Sequence, residues 1–268
     1  GEESGTLDEI FQILSLQLAK EYEVKSKIRN AMVYPGIILA VMGVVGVVMI
    51  TIVFPSLKVF FSTLSSDIPI YTKVMLNTGT YLSEQWYLII LVPLLLVASL
   101  YTILKNPQGR KMFDGFFLKV PIVSQIVKKN NSAFLIRSLS SLIASGVPLT
   151  RSLEISSKTI NNYYFKEAII EAEKRIRQGD RLSDALKSYQ YIFPIGVIEM
   201  IEVGEETGKT AVIFKKLADF YEQEAIDSIE KLTVLIEPML IIFLGVSVGF
   251  FALSIIQPIY SSLKLIST

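Results

Sequence analysis

The chain has 268 residues, 51% of them hydrophobic and 19% charged, with a mean hydropathy of +0.50. That is too apolar for an ordinary soluble fold and points to an integral membrane protein. With no Cys, no His and a net charge of +1, the composition excludes disulfides, Cys/His zinc sites, thiolate or His-dependent catalysis and a broad electrostatic footprint for DNA or RNA.

No basic segment followed by a short apolar run opens the sequence, so no signal peptide is expected. Residues 1–34 begin with the turn Gly1-Glu2-Glu3-Ser4-Gly5 and continue as an amphipathic helix. Three charge-free stretches follow, Gly36–Phe54, Trp86–Leu104 and Met239–Ile256, each 18 or 19 residues long. At about 1.5 Å per residue each reaches roughly 28 Å, the thickness of a bilayer core, which predicts transmembrane helices over 35–55, 86–104 and 238–257. Pro35, Pro55, Pro238 and Pro258 border the first and third spans and are expected to kink or end helices.

Basic residues flank span one at Lys20, Lys25, Lys27 and Arg29, and span two at Lys105, Arg110, Lys111 and Lys119. The connector 56–85 has only Lys58 and Lys73, and the tail 258–268 only Lys264. By the positive-inside bias, 1–34 and 105–237 are cytoplasmic, while 56–85 and 258–268 lie outside. No ionisable residue sits within a span, which disfavours the competing reading of a multi-pass transporter or channel subunit. Gly245 and Gly249 form a GxxxG pair suited to helix packing.

The segment 105–237 predicts a bundle of about six antiparallel helices. The stripe Leu135, Leu139, Leu142 stops at Gly146, and Pro148 opens the next helix. Phe165, Ala168, Ile169, Ala172 and Ile176 form another stripe closed by Gly179. Further starts fall at Leu182 and Pro194, the last stopping at Gly204. From Ile213 no breaker intervenes before Pro238, so that helix should run straight into the third span. Residues 105–174 carry 11 basic and 5 acidic side chains, and 199–237 carry 4 and 10. The two halves either complement each other within the bundle or offer a polarised docking surface.

An internal repeat organises the whole. Residues 1–55 align without a gap on 204–258, identical at fourteen of 55 positions, including Gly1/Gly204, Gly5/Gly208, Phe11/Phe214, Pro35/Pro238 and Pro55/Pro258. The unit is a GEE[ST]G turn, a cytoplasmic helix, a proline and a transmembrane helix ending at another proline. The segment ahead of the second turn has no first copy, which implies about 100 further residues before Gly1. Gly204 to Lys209-Thr210 looks like a phosphate loop at a glance. It has three residues between its glycines where four are needed, and Glu205 and Glu206 would repel a phosphate.

These motifs together resemble the secretion protein F family, the inner-membrane platform proteins of type II secretion and type IV pilus assembly. The strings that carry the resemblance are Lys27 to Pro35, Val120-Pro121-Ile122-Val123-Ser124, Arg137 to Leu149, Gly179-Asp180-Arg181-Leu182-Ser183, Phe193-Pro194, both GEE[ST]G turns, Ile236-Glu237-Pro238 and Pro258-Ile259-Tyr260. The resemblance implies a non-enzymatic scaffold without cofactors in the bacterial inner membrane, lacking here the first of two related cytoplasmic domains. It further implies as partners a cytoplasmic hexameric assembly ATPase, pilin or pseudopilin transmembrane helices, other inner-membrane components of the machine and further copies of the chain. Gly1, Gly5, Gly204 and Gly208 are then structural turns, and Arg137, Arg181, Glu205 and Glu206 candidate partner contacts.

Overall fold

Long apolar runs and short amphipathic stripes both repeat at the helical period, and helix is the only regular structure among the described residues, 7–63, 70–85 and 87–266 of this computed structural model. At several of these positions, mostly near the two ends, only the backbone is described. The elements in chain order are α1 (Leu7–Val48), a π-helical turn (Met49–Val53), α2 (Phe54–Thr63), α3 (Ile70–Glu84), α4 (Tyr87–Lys105), α5 (Pro107–Lys119), α6 (Pro121–Ala144), α7 (Leu149–Thr159), α8 (Tyr163–Arg177), α9 (Leu182–Lys187), a 3-10 turn (Gln190–Ile192), α10 (Val197–Thr207) and α11 (Thr210–Ile266). The chain divides into a unit of Gly1–Ala31 with Ile103–Leu232 and a unit of Met32–Thr102 with Thr233–Thr268.

The first unit is a helical bundle whose boundaries follow local chemistry. Pro107 and Pro121 stand at the first positions of α5 and α6, where a missing N–H costs least. Asn162 opens α8 by accepting from the Tyr164 N–H at 3.0 Å. α6 and α8 each end in a Schellman motif. Gly146 takes φ +78° while the Val147 N–H reaches the Leu142 carbonyl, and Gly179 takes φ +102° while the Asp180 N–H reaches that of Arg175.

The inward faces meet in one core containing Leu135, Leu139, Leu153, Phe165, Ile169, Leu186, Ile201 and Phe214. Each such side chain contributes about 1.5–3 kcal/mol by leaving water. α6 and α7 approach through small residues, with Ser138 and Ser156 hydrogen-bonded to each other at 2.9 Å in the interior. A second cluster joins Val24 of α1 to Ile226 and Ile229 of α11. Beside it the Lys27 ammonium pairs with Glu230 at 2.8 Å, exactly one repeat period of 203 residues away. Equivalent positions of the two copies of the repeat thus meet directly.

The prolines are expected from the sequence to kink or end helices, and the second unit contradicts the ends. Pro35 lies inside α1, Pro238 and Pro258 lie inside α11, and none of the three ends a helix. Pro55 is the second residue of α2, so the helical path continues past it for another eight residues. A proline removes one N–H and crowds the carbonyl four residues back, which the helix absorbs ahead of Pro55 by widening. There the Phe54 N–H reaches the Met49 carbonyl five residues back, and the Ser56 and Thr51 hydroxyls donate to the Ile52 and Val47 carbonyls at 2.8 Å. Helix α3 packs against α2 and the π turn. Gly79 makes that approach possible, since a Cβ there would overlap the Phe54 ring. α11 continues eight residues beyond Pro258, so the predicted tail is helical as far as Ile266.

Two helical stretches are long and apolar enough to cross a membrane, Tyr22–Phe60, which runs from α1 through the π turn into α2, and Thr210–Leu253 of α11, and Leu91–Lys105 of α4 is a shorter one. Large apolar side chains stand outward along these stretches, with Val44, Val97 and Val246 each about two-thirds exposed. In water such surface would be a liability.

Candidate partner interface

The charge division of the sequence is spent first inside the bundle, along a seam between α6 and α11. Arg137 donates from Nε and Nη2 to the two carboxylate oxygens of Glu222 at 2.9 and 2.8 Å, and its Nη2 also meets Asp219. The Arg137 and Glu222 side chains are nearly buried. Burial alone would disfavour the charge, but the hydrogen bonds that Arg137 donates to Glu222 and Asp219 outweigh it and hold the guanidinium above its ordinary pKa. About two turns back along α6, Lys129 donates to Glu224 at 2.7 Å and to the Ser228 hydroxyl at 3.0 Å. The two halves therefore complement each other. An open groove of about 180 Å³ runs beside the seam, walled by Val24, Ile28, Phe134 and Ile160.

The turn residues divide sharply. Gly204 is not a turn residue: it lies inside α10, which runs on to Thr207, and it is buried. A Cβ on it would stand 3.4 Å from the Phe214 ring, so its smallness serves the close packing of α10 on α11. The turn belongs to Gly208, whose φ of +65° caps α10. Gly1 and Gly5 lie outside the described residues.

Glu205 faces inward. Its carboxylate accepts from the Leu182 N–H at 2.6 Å, the Ser183 N–H at 3.0 Å and the Ser183 hydroxyl at 2.7 Å, capping α9 from 22 residues away. With 204–207 wound into a helix, their N–H groups bond within α10 and form no cradle for a phosphate. Glu206 and Arg181 remain at the surface, 3.6 Å apart and both more than half exposed. Of the four candidate partner contacts, Arg137 and Glu205 hold the bundle together, and Arg181 and Glu206 pair with each other at the surface.

The second unit offers an apolar groove of about 500 Å³. Met49, Ile50 and Phe54 at the π turn, Val74 and Leu82 of α3 and Phe250 of α11 line it. Phe54 and Phe251 close one side with ring centroids 5.9 Å apart. A Cβ on Gly245 or on Gly249 would find nothing within 4 Å, so none of the described residues packs on that GxxxG pair.

The chain matches the family described as type II secretion system (T2SS), protein F, over residues 1–55 and 135–258. The chain belongs to that family. The matched segments end at Pro55 and Pro258, one repeat period apart. It is 34% identical over 268 residues to the type IV pilus assembly protein PilC of Thermus thermophilus, covering 100% of this chain and 65% of that protein. It is 34% identical over 261 residues to PilC of Myxococcus xanthus, covering 97% and 62%. The type II secretion system protein F of Xanthomonas campestris pv. campestris is 27% identical over 260 residues, covering 97% and 64%. The chain thus spans less than two thirds of the length of these three relatives. Family membership and the exposed apolar helices together support a membrane protein of the type II secretion system protein F family.

Sequence reasoning had no access to the role of Glu205, because the N–H groups it caps belong to another helix. The same is true of Asp114, whose carboxylate accepts from the Tyr163 N–H at 2.8 Å at the start of α8.

Proposed function

We propose that the protein is the inner-membrane platform of its machine, a non-enzymatic scaffold that couples a cytoplasmic assembly ATPase to insertion or extraction of pilin-like subunits. The observation that carries this reading is α11, one helix that starts at Thr210, contributes Phe214 to the bundle core and continues without a break to Ile266. An unbroken helix transmits tilt or rotation along its axis, whereas a loop between two domains would dissipate it. In this reading α1, α4 and α11 are three spans, the bundle is cytoplasmic, and 56–85 faces the other side. The apolar groove at the π turn receives the transmembrane helix of a pilin or pseudopilin, a task that requires shape and apolar surface rather than reactive groups.

Photocrosslinking in cells tests this directly. A photoreactive residue at Val74, on the groove and 61% exposed, should capture a pilin-like subunit, whereas one at Glu173 of the bundle should not. A platform present at normal abundance that captures no subunit from Val74 would contradict the groove assignment.

A further inference from the structure

Helix α5 starts two residues after the apolar helix α4 ends, at a corner built to be tight. The Asn106 N–H reaches back to the Ile103 carbonyl at 3.1 Å, the Asn106 side chain caps the Gln108 N–H at 3.2 Å, and Pro107 opens the helix. Gly109 presses against the Ile103 carbonyl so closely that a Cβ would overlap it. The first turn of α5 is therefore folded back onto the last turn of α4.

The outward face of α5 does not look like a solvated face. Met112 and Phe116, one turn apart, are 78% and 63% exposed, and Ile122 just beyond is 45% exposed. Lys119, two turns on from Met112, shares its side of the helix and is exposed, and Arg110 stands exposed at the corner. Residues 105–119 hold four basic side chains and one acidic, Asp114. That carboxylate is turned onto the start of α8, and Lys111 lies over the Tyr163 ring, 4.8 Å from its centroid. Two large apolar groups with cations beside them, on a helix tied within one turn to the end of a span, match the headgroup layer of a bilayer.

We propose that α5 is an interfacial helix, with Met112 and Phe116 inserted among lipid headgroups and Lys119 and Arg110 on anionic lipid phosphates. It rests on the reading that α4 crosses the membrane. The helix would fix the height of the bundle against the bilayer, so that force applied to the bundle is resisted locally rather than taken up by a loose joint.

The test uses the full chain in nanodiscs of phosphatidylcholine and phosphatidylglycerol, with one fluorophore on Met112→Cys, Phe116→Cys, Ile195→Cys or Val97→Cys in turn. The protein has no cysteine of its own. A nitroxide on the lipid headgroup should quench positions 112 and 116 at least about twofold more than the 98% exposed position 195. Replacing phosphatidylglycerol by phosphatidylcholine, or adding Lys119→Glu to the Phe116→Cys protein, should remove about half of that excess. Quenching at 112 and 116 no greater than at 195 would overturn the proposal, including in favour of a protein partner for this face. An excess unchanged by lipid charge would overturn the anionic contact. A nitroxide deep in the acyl chains should quench Val97→Cys; if it does not, the span reading of α4 has failed, and if it does while 112 and 116 stay unquenched, the interfacial helix alone has failed.

Discussion

Arg137 shows why a charged residue in a recognisable motif need not face a partner. Its guanidinium is the planar, bidentate partner of a nearly buried Glu222, and truncating it would strand that carboxylate. Arg137→Ala should therefore cost roughly 3 kcal/mol of stability, and Glu222→Gln less, because the amide keeps part of the contact. A double-mutant cycle followed by unfolding in detergent should give a coupling above about 1 kcal/mol; additive losses would show that the seam is incidental. Glu205→Ala should cost about 1 kcal/mol or more through loss of the α9 cap. Arg181→Glu, at an exposed pair, should leave stability within about 0.5 kcal/mol while lowering pilus or secretion output. Unchanged output would remove Arg181 from the partner surface. From the sequence these four residues looked alike, since a motif string does not reveal which side chains turn inward.

At the scale of elements, boundaries set by backbone chemistry were legible and those set by packing were not. Gly146 and Gly179 stop their helices because both must take positive φ, a demand visible in any sequence that places a lone glycine after an apolar stripe. Gly146→Ala should accordingly destabilise the bundle by about 1 kcal/mol, read from its melting temperature. Gly204 carries the same letter but answers a different need, clearance for Phe214, and nothing near it in the sequence says so. The prolines misled in the same way. Helix propensity treats them as stops, yet in long apolar helices the chain has no other way to satisfy its backbone, and the hydrogen-bond ladder widens or skips a rung instead. The continuity of α11 was legible from the absence of any breaker between Ile213 and Pro238. The π turn before Pro55 was not.

For the molecule as a whole, the repeat is the deepest regularity. It is visible as identities in the sequence and again as the Lys27–Glu230 pair, where two equivalent positions touch. In the proposed topology both copies enter the membrane in the same direction, with their basic flanks on the cytoplasmic side. An impermeant thiol reagent applied to intact cells should thus label Ser65→Cys and spare Ile195→Cys, and the reverse pattern would invert the topology.

If α11 carries motion from the bundle into the membrane, softening that helix without shifting its register should break the coupling. Val234 and Leu235 are 70% and 48% exposed, so the pair Val234→Gly/Leu235→Gly removes stiffness at about 1 kcal/mol per residue of helix propensity, and Val234→Ala/Leu235→Ala is its stiff control. With both variants at normal membrane abundance, pilus or secretion output should collapse in the glycine pair and persist in the alanine pair. Normal output from the glycine pair would contradict the account.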